Sequence, residues 1–359
     1  MKKMLPVTYP PVTSFPGYAD ALAIALNSKS GYNWFLHSFI NVFMQFDSSS
    51  DTAFVDFVNL DFIRFDHIYH LEPQNLFCPP IKAFSIPVNM LNLFDSFFDF
   101  VKYLIDKDFY VLAFVNYGVL RRRDSQITHE TFVYGYDEER KMFNIADFQL
   151  NNSGYKFTEI SSEHLEKAFY SVKEKTGVNT GAFFDQRTTD QVIALTPNDD
   201  IEVEFCPQLF VSKIEQYLNK QKLYVNYRPL HVYLKSNDDV EDYWGISFYE
   251  GLKRLLLCRM KKGNWVDYRQ FHLLYDQKNS ILVKLKFLIN LYNISEAYQY
   301  EWQKIVDQTF LVRNMIIKYN IREKEDSDMA YKICNILDIL RNKEQGLLED
   351  LIKSILEKA

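Results

Sequence analysis

The spacing of apolar residues changes along the chain, and the elements change with it. Ala19, Leu22, Ala23 and Leu26 recur at i, i+3, i+4 and i+7, which predicts a helix over Tyr18–Asn27. Pro16 suits its first turn, and Ser14 is placed to cap it. The aromatic run Tyr32–Phe46 reads as a second helix and Val88–Lys107 as a third, amphipathic one. "DTAFVDF" and "DFIRFDHIYH" alternate or run apolar, as short strands do. Three β-like runs follow closely, at Phe109–Tyr117, His129–Asp137 and Lys141–Phe148. The polar "DEER" between the last two predicts a hairpin. A serine-capped helix over Ser161–Val172 and a closing strand over Asp190–Pro197 complete this half.

The acidic stretch Pro197–Pro207 marks a boundary near residue 200. Beyond it the pattern turns helical, with segments near 207–221, 238–260, 264–277, 279–318 and 328–358. In the last, Ile333, Ile336, Leu337, Leu340, Leu347, Leu348, Leu351 and Ile355 keep one stripe. The expected class is α+β. A domain of residues 1–200, with an antiparallel sheet and N-terminal helices, precedes an all-helical domain of residues 201–359.

Composition narrows the function classes. The 359 residues suffice for two domains, and 47% hydrophobic with 25% charged residues fits a globular chain. Net charge is −6 with no basic stripe, so nucleic acid is not an expected partner. Arg121, Arg122 and Arg123 form the densest basic cluster and read as a solvated turn, with an anionic partner as the sharper alternative. The 30 Phe and 24 Tyr are what AT-rich codon usage yields, or else line a channel for a long substrate. Cys78, Cys206, Cys258 and Cys334 show no CxxC spacing, which argues for reduced thiols in a cytoplasmic protein rather than zinc or disulfides. No apolar run reaches transmembrane or signal-peptide length, so no membrane partner is expected.

The chemistry-bearing residues cluster in the hairpin. His129 opens an apolar strand after a polar loop, and Asp147 ends the paired strand. An antiparallel hairpin can bring the two within hydrogen-bond reach, the arrangement in which a carboxylate fixes a catalytic imidazole. "HETFVYGYDEERKMFNIADF" resembles the corresponding hairpin of peptidase C39-like domains, and more closely that of the N-terminal domain of the butirosin biosynthesis protein H family. "GYADALAIAL" resembles that family's opening C-x-x-D-A-L-x-x-x-L helix, with Asp20, Ala21, Leu22 and Leu26 on its characteristic positions. Trp244–Leu256 and Asp267–Leu288 also resemble blocks of its C-terminal half.

The resemblance implies a papain-like fold and an acyltransferase of specialised-metabolite assembly. Its donor would be an acyl or peptidyl carrier protein bearing a phosphopantetheine arm, its acceptor a small-molecule amine, and no cofactor would be needed. His129 would be the general base and Asp147 its orienter. Gly17 occupies the position of the nucleophilic cysteine, and glycine cannot form an acyl-enzyme. Ser14, with Thr13 beside it, and Cys78 are the other candidate nucleophiles. Direct aminolysis assisted by His129 needs none. A catalytically degenerate pseudoenzyme that binds a carrier protein or scaffolds a partner is the rival, and a protease is disfavoured. His67 and His70 form an H-x-x-H whose strand-like setting speaks against metal. Asp124, Asp137 and Glu138 read as turn residues, and Ser236–Asp242 as a helix cap rather than a calcium loop.

Overall fold

The computed structural model describes residues 1–58, 78–122, 127–148, 154–173, 190–223, 239–321 and 327–358. Its elements in chain order are β1 (Lys2–Met4), α1 (Pro16–Ala25), α2 (Lys29–His37), β2 (Val42–Asp47), β3 (Thr52–Phe57), β4 (Ile81–Pro87), α3 (Phe97–Asp106), β5 (Tyr110–Asn116), α4 (Tyr117–Arg121), β6 (Thr128–Asp137), β7 (Met142–Phe148), β8 (Tyr155–Ser161), α5 (Ser162–Lys173) and β9 (Gln191–Pro197). There follow α6 (Pro207–Leu218), β10 (Val240–Trp244), α7 (Phe248–Lys261), α8 (Arg269–Tyr292), α9 (Ala297–Ile321) and α10 (Ser327–Leu356). The strand expected at 61–70, His67, His70, Arg123, Asp124 and Ser236 lie outside the described residues.

The chain divides into two compact units, Met1–Tyr32 with Asp61–Val203, and Asn33–Leu60 with Glu204–Ala359. In the first, a seven-stranded antiparallel sheet runs β4-β9-β5-β6-β7-β8, with β1 also paired to β6. Beside β6, β5 covers Thr128–Val133 and β1 takes over at Gly135–Asp137, after a bulge. Every residue of β5 is buried, as a central strand requires. The expected hairpin forms as β6–β7. α3 begins at Ser96, whose Oγ accepts the Asp99 N–H at 3.1 Å. The helix expected over Val88–Lys107 is therefore two pieces, a 3-10 segment Val88–Leu93 and then α3. α5 starts where the sequence places it, with the Ser161 hydroxyl accepting from the His164 N–H at 3.4 Å.

Among its described residues the second unit carries helices α6 to α10 and a small sheet, so it is not all helical. β10-β2-β3 forms a three-stranded antiparallel sheet within it. Two expected helices give way to this sheet. The run Tyr32–Phe46 leaves the helix at His37, passes Phe39 in the left-handed region (φ 56°), and becomes the central strand β2. Its dense aromatics are buried in both conformations, so their spacing does not tell helix from strand. The segment expected as a helix from 238 is β10 up to Trp244, and only then helix α7. Gly245 makes the corner at φ +55°, where a Cβ would lie 2.1 Å from the Tyr217 carbonyl oxygen. No helix among the described residues is long and apolar enough to cross a membrane.

Candidate active site

α1 is buried from Gly17 to Ala25 and carries Pro16 in its first turn. Its N-cap is Phe15, which supplies no side-chain cap, so Ser14 stands one residue outside the capping position expected of it. Gly17 occupies the second helical position. Asp20, one turn further and on the same side of the helix, is 2% exposed and accepts the Tyr155 hydroxyl at 2.8 Å.

The hairpin supplies the rest. His129 faces Val115 of β5, and its side chain is 29% exposed. Its Nδ1 lies 2.6 Å from Oε2 of Glu130, which is 2% exposed. The ring stacks on Tyr117, centroid to centroid 4.8 Å and 13° from parallel. Arg121 lies over the same tyrosine at 4.0 Å, and its guanidinium donates to the Phe148 carbonyl at 2.8 Å. The expected arginine cluster thus has one member packed into the site; Arg122 is exposed in a left-handed C-cap.

Asp147 is not placed as the hairpin spacing suggests. Its Oδ1 accepts the Tyr117 hydroxyl and its Oδ2 the Thr131 hydroxyl, each at 2.7 Å. The pleat explains why. Phe132 faces Ala146, Ala146 faces Phe157, and Phe148 faces Tyr155, so these side chains share one side of the sheet. Tyr155 bonds Asp20, so α1 covers that side, and Glu130, two residues before Phe132, points towards it. Thr131 and Asp147 occupy the opposite side. By the same alternation His129 shares the side of Thr131 and Asp147, where its ring and the Asp147 carboxylate both meet Tyr117, while the Glu130 carboxylate contacts the imidazole from the neighbouring position on the strand.

The carboxylates perturb one another. Burial holds the Asp20 carboxyl well above the usual carboxylate range, and the charges of Glu130 and then Asp147 push the same way against the Tyr155 hydrogen bond. Burial raises Asp147 to about 6, opposed by its bonds from Tyr117 and Thr131 and by the charges of His129 and Arg121. Tyr117 and Tyr155 are both raised well above the ordinary phenol, by burial first and then by neighbouring carboxylates. A partly exposed imidazole among buried acids of displaced affinity is suited to moving protons.

Cys78 is not part of this cluster. It bridges Ile81 at the start of β4, the edge strand. Ile81 faces Pro197, Tyr110 faces Leu195, and His129 faces Val115. Cys78 thus sits three strands over and roughly 20 Å along the sheet, at about 3.3 Å per residue. Asp137 accepts the Arg140 N–H and serves the hairpin turn, as expected. Among the described residues no group of three His, Cys, Asp or Glu side chains is arranged to hold a metal ion.

Sequence reasoning missed Glu130, Tyr117, Thr131 and Tyr155. Glu130 left a signal: it is an acid inside the otherwise apolar strand "TFVYGY", where a buried charge needs a partner. Comparison with known proteins finds no family model that matches the chain and no characterised protein similar to it.

Proposed function

We propose that the first unit is a papain-like domain whose His129 acts as a general base in acyl transfer from a carrier-protein thioester to an amine. The observation that carries this reading is the His129 imidazole, partly exposed, stacked on Tyr117 and 2.6 Å from the buried Glu130 carboxylate. The N-terminal turn of α1 has no side-chain cap from Phe15, and such a turn favours a developing oxyanion.

Gly17 removes the covalent step. In direct aminolysis the amine nitrogen attacks the thioester carbonyl and its proton passes to the imidazole. The carbon–sulfur bond then breaks, and the imidazolium returns the proton to the departing thiolate. Positioning and proton transfer carry such a reaction without an acyl-enzyme.

Incubation with an acyl-carrier thioester and an amine, followed by intact-protein mass spectrometry and product assay, tests this. The expected result is turnover without an adduct, reduced about 10²–10⁴-fold in His129→Ala. Turnover untouched by that substitution sinks the proposal. The second reading is a pseudoenzyme that binds a carrier protein, favoured by Gly17 at the nucleophile's position. It predicts carrier binding with no turnover and no effect of His129→Ala.

A further inference from the structure

We propose that the Lys284 amine makes the corner between α2 and β2 sensitive to acid: a proton bound there loosens the packing of residues 33–60 on α8. The proposal concerns the second unit alone and does not depend on the acyl-transfer reading.

Lys284 lies on α8 and is 0% exposed. A lysine so deeply buried is ordinarily paired with an acid, as Lys278 on the same helix is paired with Glu344 at 2.7 Å. Among the described residues, the hydrogen bonds of Lys284 go to Ser280 alone. Its Nζ donates to the Ser280 hydroxyl and lies 3.5 Å from the Ser280 carbonyl. It also sits 3.9 Å over the Phe35 ring of α2. Ser280 in turn donates to the Phe39 carbonyl at 3.3 Å. Phe39, at φ 56°, is the left-handed residue at which the chain leaves α2 for β2. The next carbonyl, of Ile40, accepts from Gln277 at 2.8 Å, one turn before Ser280 on α8. The buried amine is therefore one end of a relay whose other end is the corner itself.

The surroundings offer no compensation for a positive charge. The charge that acts on Lys284 is that of Lys213 on α6, which has the same sign. Burial first, and that charge second, hold the amine well below its ordinary value. The other titratable groups around the corner are engaged elsewhere. His37 of α2 accepts the Cys206 N–H at 2.9 Å. Asp56 of β3, beside the Phe57 ring that packs on Phe39, accepts the Phe57 N–H at 2.8 Å. Glu344 of α10 is bonded by Lys278 and Tyr249. In the unfolded chain a lysine keeps its proton up to about pH 10.4, whereas the closed native state lacks it. The stabilisation is therefore full above about pH 10.4 and falls by about tenfold in the folding equilibrium for each unit below that, until the native amine takes the proton itself. A charged amine must then reach water, which breaks its bond to Ser280 and frees the corner.

The test uses the full chain. All four tryptophans, Trp34, Trp244, Trp265 and Trp302, lie in the second unit, so their fluorescence follows its unfolding. Urea unfolding is measured from about pH 7 to about pH 9, between the ordinary ranges of carboxylic acids and phenols. The wild-type folding equilibrium should weaken by up to about tenfold more per unit of acidification than that of Lys284→Met. Hydrogen exchange read by mass spectrometry, corrected for the intrinsic rate, should show the protection of residues 39–47 falling in step in the wild type and not in the variant. The same pH dependence of unfolding in both proteins overturns the proposal. So does wild-type protection of residues 39–47 that is independent of pH, a result that needs no variant. Lys284→Gln, uncharged and close in length, takes the place of Lys284→Met if the methionine chain does not fold.

Discussion

A carboxylic acid kept out of water prefers its neutral form, and the buried acids of the first unit make this a property of the fold. Asp147 titrates near 6 in the folded chain, against about 3.9 when unfolded. Between those values the native state holds a proton that the unfolded state has released. The stabilisation is therefore full below about pH 4 and is lost as pH rises through about 6. Two units correspond to about 3 kcal/mol, and Asp20 is shifted in the same direction. Asp147→Asn, which needs no proton to stay neutral, should gain up to about 3 kcal/mol on the wild type between pH 4 and pH 7. Denaturant unfolding at a series of pH values checks this; parallel curves for the two proteins would refute it. At this scale the sequence offers candidate residues but not how they pair. His129 and Asp147 both meet Tyr117, yet the Asp147 carboxylate is taken by the Tyr117 and Thr131 hydroxyls rather than by the imidazole. Spacing in the hairpin could not show this without the register.

Elements were most legible where one period ran unbroken. The strands at β6, β7 and β9 match the expectation closely because both flanks of each are polar or turn-forming. The expected segments 264–277 and 279–318 break near residue 278, whereas α8 runs unbroken through Asp276-Gln277-Lys278-Asn279-Ser280 and ends at Tyr292. Those polar groups are instead used inside the second unit. Lys278 and Glu344, both fully buried, pair at 2.7 Å, joining α8 to α10. Lys278 also donates to the Tyr217 hydroxyl at 3.1 Å, and Tyr249 donates to Glu344 at 2.7 Å. Burial pulls the Lys278 amine below its ordinary value, and Glu344 partly restores it. Removing one partner strands the other, so Lys278→Met should cost about 3–5 kcal/mol. The double variant Lys278→Met with Glu344→Leu should recover most of that loss, because paired apolar replacement of a buried ion pair is often close to neutral. Chemical denaturation of the three proteins measures both. A double variant as unstable as the sum of its single changes would remove the pair from the account.

At the scale of the whole molecule, sequence order and spatial grouping part company. A boundary near residue 200 follows the change from mixed to helical patterning, but the second compact unit also takes Asn33–Leu60 from far upstream. Composition cannot reveal this, because β2 is claimed by its pairing with β10, some 200 residues later: Phe43 faces Trp244 and Asp47 faces Val240. The inserted segment is bound by backbone and side chain alike. Gln277 donates to the Ile40 carbonyl at 2.8 Å, and Asn41 donates to the Lys213 carbonyl at 3.0 Å. Trp34, Phe35, Phe39, Phe43, Met44 and Phe46 are all buried. At roughly 1.5–3 kcal/mol each, these six contribute on the order of 10 kcal/mol, comparable to the whole stability of an ordinary domain. A fragment of residues 204–359 should therefore keep helical circular dichroism but melt without a cooperative transition, since its apolar core lacks one wall and β10 lacks its partner strand. Adding a peptide of residues 33–60 should restore a sigmoidal melt. A sharp transition in the fragment alone would mean that α6 to α10 hold a core of their own, with β2 only laid against it.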